Sequence, residues 1–154
     1  MNKIYLQHTT VSAERSAQEI IREISCRDAT KIQQEFKDGV LVGLAFLITL
    51  PGGRVLPIDL PARMEPMKKV LYRNLGPRQR QKMTEEDMAD AASKIVWRQL
   101  AAWVKAQMAL VDLEMVKPEE VFLPYIQVAP GKTLYNVIAA QGFEMKALKG
   151  RSDG

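Results

Sequence analysis

The chain has 154 residues, of which 47% are apolar, enough for one domain with a hydrophobic core and too few for two domains of ordinary size. The single cysteine, Cys26, excludes a disulfide framework and a cysteine-rich zinc site, and the single histidine, His8, leaves one imidazole base for Cys-His or Ser-His catalysis. The net charge is +4, and because there is neither an apolar run of about 18 residues nor a signal-peptide pattern at residues 1–10, we expect a cytoplasmic protein.

The first predicted element is an amphipathic helix that begins at Ala13. Ser12 before it is a good helix N-cap, and Glu14 suits the positive end of the helix dipole. The apolar residues of the helix fall on one stripe: Ala13, Ala17, Ile20, Ile21 and Ile24. Cys26 lies at the end of this pattern, which favours a semi-buried structural thiol over a nucleophile.

Three antiparallel strands are predicted next. Ile32 and Phe36 lie on one face of the first strand, and the pair Asp38-Gly39 is typical of a two-residue hairpin turn. The central strand, residues 40–50, has one face with Val42, Leu44, Phe46, Ile48 and Leu50 and another with Leu41, Gly43, Ala45, Leu47 and Thr49. Pro57 has no N–H to donate, so the third strand is expected at an edge of the sheet.

A basic segment follows, formed by a helix over residues 64–75 that ends at Gly76-Pro77 and by a polar loop. It holds seven basic residues against one acid, Glu65, so it carries +6 and leaves −2 for the rest of the chain. Such concentrated charge favours contact with a phosphate backbone, although a solvated helix face is the alternative. Tyr72 is the one aromatic residue here that could stack on a base. The predicted phosphate contacts are Arg63, Lys68, Lys69, Arg73, Arg78, Arg80 and Lys82.

A long helix is predicted from Thr84 to Met115. Thr84 and the acids that follow form a capped helix start, and about 31 residues span roughly 45 Å. This exceeds the breadth of a compact domain of this size, so the helix bends or its end projects into a partner. Apolar residues off the main stripe indicate that the helix is covered on two sides. The residues expected to anchor a core or an interface, and through which we expect homo-oligomerisation, are Trp97, Leu100, Trp103, Val104 and Met108.

The last segment is predicted to pack back on the long helix through the apolar run Val121–Ile126 and to end in a short helix over residues 133–141. Gly131-Lys132 looks like the end of a phosphate-binding loop, but Ile126 stands where that motif needs its first glycine, and the motif is rejected. Residues 8–10 are better explained as helix-capping residues than as a phosphate site. The acids at 85–87 are better explained by their interaction with the positive end of the helix dipole than as metal ligands. No catalytic residue, metal site or cofactor is predicted.

The order of elements between Ser12 and Leu75 resembles that of the double-stranded-RNA-binding domain. That family contacts phosphates through a Lys-Lys pair at the start of its last helix. In this chain Lys68-Lys69 lie about one turn later, and the glycine-rich approach to the helix is missing.

The chain is more similar to a family of small, largely uncharacterised proteins encoded in bacteriophage and prophage genomes. The similarity covers most of the chain up to about Tyr135, in the stretches His8–Ser12, Leu60–Arg63, Val96–Arg98, Trp103–Leu110 and Glu120–Tyr125. The resemblance implies a phage accessory protein of the kind encoded among DNA replication and recombination functions, without implying an activity.

We therefore expect a single α+β domain over residues 1–145 with a mobile tail over residues 146–154. Its three-stranded antiparallel sheet packs against an N-terminal helix and a long central helix, and a short helical segment follows. The first hypothesis for function is a non-catalytic phage protein that associates with nucleic acid, of open type, through the basic segment. The alternative is a module that binds a host or phage protein, such as a component of a defence system, through the edge strand near Pro57 or the long helix.

Overall fold

The computed structural model describes residues 3–144, and the tail predicted over residues 146–154 lies outside them. The elements within this range are, in chain order, α1 (Ala13–Ser25), β1 (Ala29–Lys37), β2 (Val40–Thr49), β3 (Val55–Pro61), α2 (Met64–Asn74), α3 (Pro77–Lys82), α4 (Glu85–Asp112), α5 (Pro118–Val121), a 3₁₀ turn (Leu123–Tyr125), β4 (Gln127–Ala129), β5 (Lys132–Thr133) and α6 (Leu134–Ala140). Strands β1, β2 and β3 form an antiparallel sheet in that order, so β2 is central and β3 is an edge. The predicted α+β fold, with its long central helix and short C-terminal helix, is confirmed.

The start of α1 is fixed as predicted, because the Ser12 side chain accepts a hydrogen bond from Arg15 N at 3.1 Å. The buried residues of this helix include Ala17, Ile20 and Ile24, on the side that packs against α4. The prediction of a semi-buried thiol at Cys26 is wrong. Cys26 is exposed because it is the C-cap residue, where the chain has already left the packed stripe of α1.

Two bulges change which residues of the sheet face the core. One falls in β1, where Thr30 and Gln33 are separated by one more residue than their partners on β2, and the other falls in β2, opposite Glu35 and Phe36. Each extra residue reverses the alternation of side chains beyond it. Leu41 is therefore buried on the same face as Leu44, Phe46 and Ile48, and the predicted face assignment is wrong at this end of the strand. Phe36 keeps the face of Ile32, as predicted, because its register partner is Leu41, but it lies near the hairpin end of the edge strand β1 and is 58% exposed.

The main core lies between the inner face of the sheet and helices α1 and α4. Trp97 on α4 is fully buried there, and its indole Nε1–H donates a hydrogen bond to the Leu41 carbonyl oxygen at 2.9 Å. Phe122 closes one side of this core, with its ring edge-to-face at 5.3 Å from Phe46 and at 5.9 Å from Trp103. Helix α4 ends at Asp112, three residues before the predicted end at Met115, and its 28 residues span about 42 Å.

The C-terminal segment packs back on the rest of the chain, as predicted, and also reaches the outer edge of β3. Phe122 is buried, and Ile126 forms an antiparallel bridge with Ile58. The small hairpin of β4 and β5 between this bridge and α6 was not predicted. Part of the exposed edge beside Pro57 is thus already paired within the chain. Within residues 3–144 no helix has both the length and the apolarity needed to cross a membrane.

Two carboxylates, Glu35 on β1 and Asp59 on β3, interact across the central strand on the sheet face opposite the core. Glu35 pairs with Gly43 and Asp59 with Ala45. A side chain at Gly43 would place its Cβ 3.0 Å from the Leu60 carbonyl oxygen and 3.5 Å from Glu35 Oε2, so the glycine leaves the room that Glu35 occupies. Partial burial and the neighbouring Asp59 carboxylate raise the pKa of Glu35.

We expect Glu35→Gln to stabilise the fold at neutral pH and not in acid. The folded state holds the Glu35 proton more tightly than the unfolded chain does, so this group favours folding fully below its ordinary pKa and loses that contribution as the pH rises through the raised value. The expected gain at pH 7 is about 0.5 kcal/mol in the free energy of unfolding, measured by urea denaturation. The control is Glu114→Gln, which removes a carboxylate elsewhere. An equal gain for Glu35→Gln at about pH 3.5, below the ordinary pKa, would contradict this account.

Candidate nucleic-acid interface

Helix α2 carries the first half of the basic segment on the outside of a second apolar cluster. Leu71 is buried on its inner face beside Ile4, Met88 and Ile95, with Val70 partly buried next to them. Because this apolar stripe holds α2 against α4, the basic residues on the opposite side of α2 are turned outward.

The second half of the segment is helical, whereas a polar loop was predicted. Pro77 occupies the first position of α3, where its missing N–H costs nothing, and the Gln79 side chain accepts a hydrogen bond from Gly76 N at 3.2 Å. All six residues of α3 are exposed. This helix therefore presents Arg78 and Lys82 on one face, four residues apart.

Two of the seven predicted phosphate contacts have partners within the chain. Lys68 Nζ lies 3.0 Å from a Glu65 carboxylate oxygen and 3.8 Å from one of Glu85, so it joins α2 to the start of α4. Arg80 donates hydrogen bonds to the carbonyl oxygens of Tyr72 at 3.1 Å and Arg73 at 3.2 Å. These bonds satisfy carbonyls at the end of α2, so Arg80 acts as a C-terminal cap of that helix.

The other five basic residues form what we call the basic surface: Arg63, Lys69, Arg73, Arg78 and Lys82. All five are exposed, and within residues 3–144 none of their side chains has an ion-pair or hydrogen-bond partner. Lys69 and Arg73 lie four residues apart on α2, as do Arg78 and Lys82 on α3. Like charges at this spacing cost a helix about 0.2–0.5 kcal/mol per pair, and a bound anion would relieve the cost.

A pocket of about 600 Å³ opens between α2, α3 and the start of α4. Four cations (Lys68, Lys69, Arg73 and Arg80) and two carboxylates (Glu65 and Glu85) line the pocket. The rest of the lining is the ring of Tyr72, the thioethers of Met83 and Met88, and Thr84. The Arg80 guanidinium carbon lies 4.7 Å from the centroid of the Tyr72 ring, a cation–π contact. Tyr72, predicted as a base-stacking residue, is 52% exposed at this pocket.

Of the three acids at the start of α4, Asp87 caps the helix, as predicted. Asp87 accepts hydrogen bonds from the Thr84 hydroxyl at 2.8 Å and from Thr84 N at 3.2 Å, and these bonds lower the pKa of Asp87. Among the described residues there is no group of three or more His, Cys, Asp or Glu side chains placed to hold a metal ion.

The residues predicted to anchor an interface divide into two groups. Trp97 and Val104 are 0% exposed and Met108 is 1% exposed, so these three belong to the core of the chain and offer no surface to a second copy. Leu100 and Trp103 are partly buried and line a groove of about 640 Å³ between the N-terminal segment, α2 and α4. Sequence reasoning missed this groove because its walls come from segments far apart in the chain.

No protein-family model, curated protein or solved structure matches this chain. The chemistry of α2, α3 and the groove is therefore the basis for assigning a function.

Proposed function

We propose that the protein is a non-catalytic bacteriophage accessory protein that associates with nucleic acid through the basic surface, in the cytoplasm of the host cell. The observation that carries this proposal is that four exposed cations on two consecutive helices, with Arg63 at the N-cap of the first, lack partners among the described residues, while Lys68 and Arg80 of the same segment are paired. The resemblance to phage-encoded proteins supplies the setting of DNA replication or recombination.

The energetics of such binding follow from counterion release. Each cation that neutralises a phosphate releases counterions condensed on the nucleic acid, so affinity falls steeply as salt rises. Five contacts predict a slope of log K against log salt of about −4.5 for duplex DNA and about −3.5 for a single strand.

The experiment is fluorescence anisotropy with labelled single-stranded DNA, duplex DNA and RNA of equal length. We expect salt-sensitive binding, with an affinity that drops by about 50- to 150-fold when salt is raised threefold. Absence of binding to all three nucleic acids at low salt would overturn the proposal.

A second candidate function, a protein-binding module, is favoured by the apolar groove that Leu100 and Trp103 line. The charged residues of the groove, Lys3 and Arg63, are both cations, which suits a partner segment that is apolar and acidic. The edge strand is less suitable, because Ile126 already pairs beside Pro57.

A second copy of the chain could supply such a segment. Leu113 and Met115, which flank Glu114 beyond the end of α4, are 69% and 66% exposed. As the second candidate we therefore propose homo-oligomerisation, in which the segment after α4 of one copy binds the apolar groove of another. A sedimentation mass that rises with concentration, together with no nucleic-acid binding, would select it over the first.

A further inference from the structure

We infer that the pocket between α2, α3 and α4 receives one unpaired base, so that the preferred ligand is a single strand and not a duplex. This inference rests on the proposed function and deepens it. A volume of about 600 Å³ lies within the range of about 300–1,000 Å³ found for pockets that hold small ligands. A base inside a duplex is stacked and paired, so only a base that has left the stack can enter such a pocket.

The Tyr72 ring provides a stacking wall that is already in position. Arg80 lies over one face of the ring, 4.7 Å from its centroid, and is itself held by the carbonyl oxygens of Tyr72 and Arg73. The guanidinium is thus fixed by hydrogen bonds to the backbone of the residue on which it stacks. Because this arrangement exists before a ligand binds, less conformational entropy is lost on binding. Aromatic rings and arginine guanidinium planes are the groups on which unpaired bases stack in proteins.

The rest of the pocket supplies an apolar surface for the base. Met83 is partly buried and Met88 is 6% exposed, and both line the pocket opposite the helix that carries Tyr72. Thioether side chains are polarizable and make favourable contacts with aromatic rings. A pocket built only to bind phosphate would not need this surface.

The charges of the pocket suit a phosphate beside the base. Lys69 and Arg73 line the pocket, project from the same face of α2 and are unpaired, so they are placed to contact the backbone on either side of the inserted nucleotide. The carboxylates of Glu65 and Glu85 would repel a phosphate, but Lys68 bridges them at 3.0 and 3.8 Å. With four cations against these two carboxylates, the net charge of the lining is positive.

The test compares the affinity of the full chain for a labelled single strand and for a duplex of the same length. We expect the single strand to bind at least tenfold more tightly, on the order of one stacked base. Tyr72→Ala should weaken single-strand binding by about 5- to 150-fold without changing the salt slope, because a ring is lost and no charge is. Tyr72→Phe, which keeps the ring, should retain the affinity, and both variants should bind duplex as the natural chain does.

Two controls complete the design. Tyr135→Ala removes another exposed tyrosine, 46% exposed and outside the basic segment, and should leave binding unchanged. A strand with abasic sites keeps its phosphates and lacks bases, so the natural chain should bind it as weakly as Tyr72→Ala binds the intact strand. Two results would overturn the pocket inference and leave the proposed function standing. One is salt-sensitive binding with equal affinity for single strand and duplex. The other is an equal loss of affinity for single strand and duplex in Tyr72→Ala. Absence of any binding would overturn both.

Discussion

Trp97→Ala is expected to lower the free energy of unfolding by about 3–5 kcal/mol, the range found when a buried aromatic side chain is truncated in a core. Among residues 3–144 Trp97 is the largest fully buried side chain, and it lies in the core between α4 and the sheet. Its removal would leave a cavity that neighbours on rigid strands and helices fill only in part. Since the total stability of a domain is about 5–15 kcal/mol, this loss removes a large fraction of it, and the variant should unfold at a clearly lower denaturant concentration than the natural chain.

The indole N–H adds a second contribution, which Trp97→Phe isolates. The hydrogen bond of 2.9 Å to the Leu41 carbonyl oxygen would be lost while most of the ring volume stays. A buried carbonyl without a partner costs about 1–3 kcal/mol, so we expect a loss of that size for this variant. Chemical denaturation followed by far-UV circular dichroism gives both values.

Trp103→Ala is the matched control for the truncation. The Trp103 ring contacts Phe122 and Tyr125 but lines an open groove, so part of its surface already meets water. Its loss should therefore cost clearly less than the loss of Trp97. Equal costs for the two truncations would mean that the core is not centred on Trp97.

The difference between these two tryptophans also shows what the sequence could and could not predict. Helical periodicity indicates that a residue is covered, but it does not say whether the cover comes from the same chain or from a partner. Trp97 and Trp103 were both predicted as anchors of a core or an interface, and only the tertiary arrangement separates them. By contrast α1, the hairpin and α4 were predictable because Ser12, Asp38-Gly39 and Thr84 are local signals that act through nearby backbone groups.

The features that sequence reasoning missed lack such local signals. The bulges in β1 and β2 have no residue type of their own, and a shift of one residue moved Leu41 into the core. Helix α3 has six residues and no buried apolar stripe, so the Gly76-Pro77 start was its only marker. For the basic segment, counting charges located the surface, but only the structure shows that Glu85 reaches Lys68 and that Arg80 turns back on α2.

The basic surface itself is tested by replacing Arg63, Lys69, Arg73, Arg78 and Lys82 together with glutamine. We expect the slope of log K against log salt to fall from about −3.5 for a single strand to within one unit of zero, and affinity at low salt to fall by on the order of 10³-fold. The fold should survive, because these side chains are exposed and two like-charge pairs are removed. Anisotropy across a salt series measures the slope, and a thermal melt checks the fold.

The control separates the position of the charges from their number. Arg15, Arg22, Lys105, Lys117 and Lys132 are also exposed, and replacing these five with glutamine gives the same net charge of −1 from the original +4. If association depends on the general charge of the protein, the two quintuple variants lose the same affinity. If association depends on the cations of the basic surface, the control variant keeps most of the salt slope of the natural chain.

Single replacements make the expectation specific to this structure. Lys69→Gln should reduce the slope for a single strand by about 0.7, the share of one phosphate contact. Lys68→Gln should change it less, because Lys68 is already compensated by Glu65 and Glu85, and its removal exposes two carboxylates that repel phosphate, so affinity falls with little change in slope. Equal slope changes for Lys68 and Lys69 would mean that the ion pairs of Lys68 break on binding and that Lys68 contacts phosphate as Lys69 does.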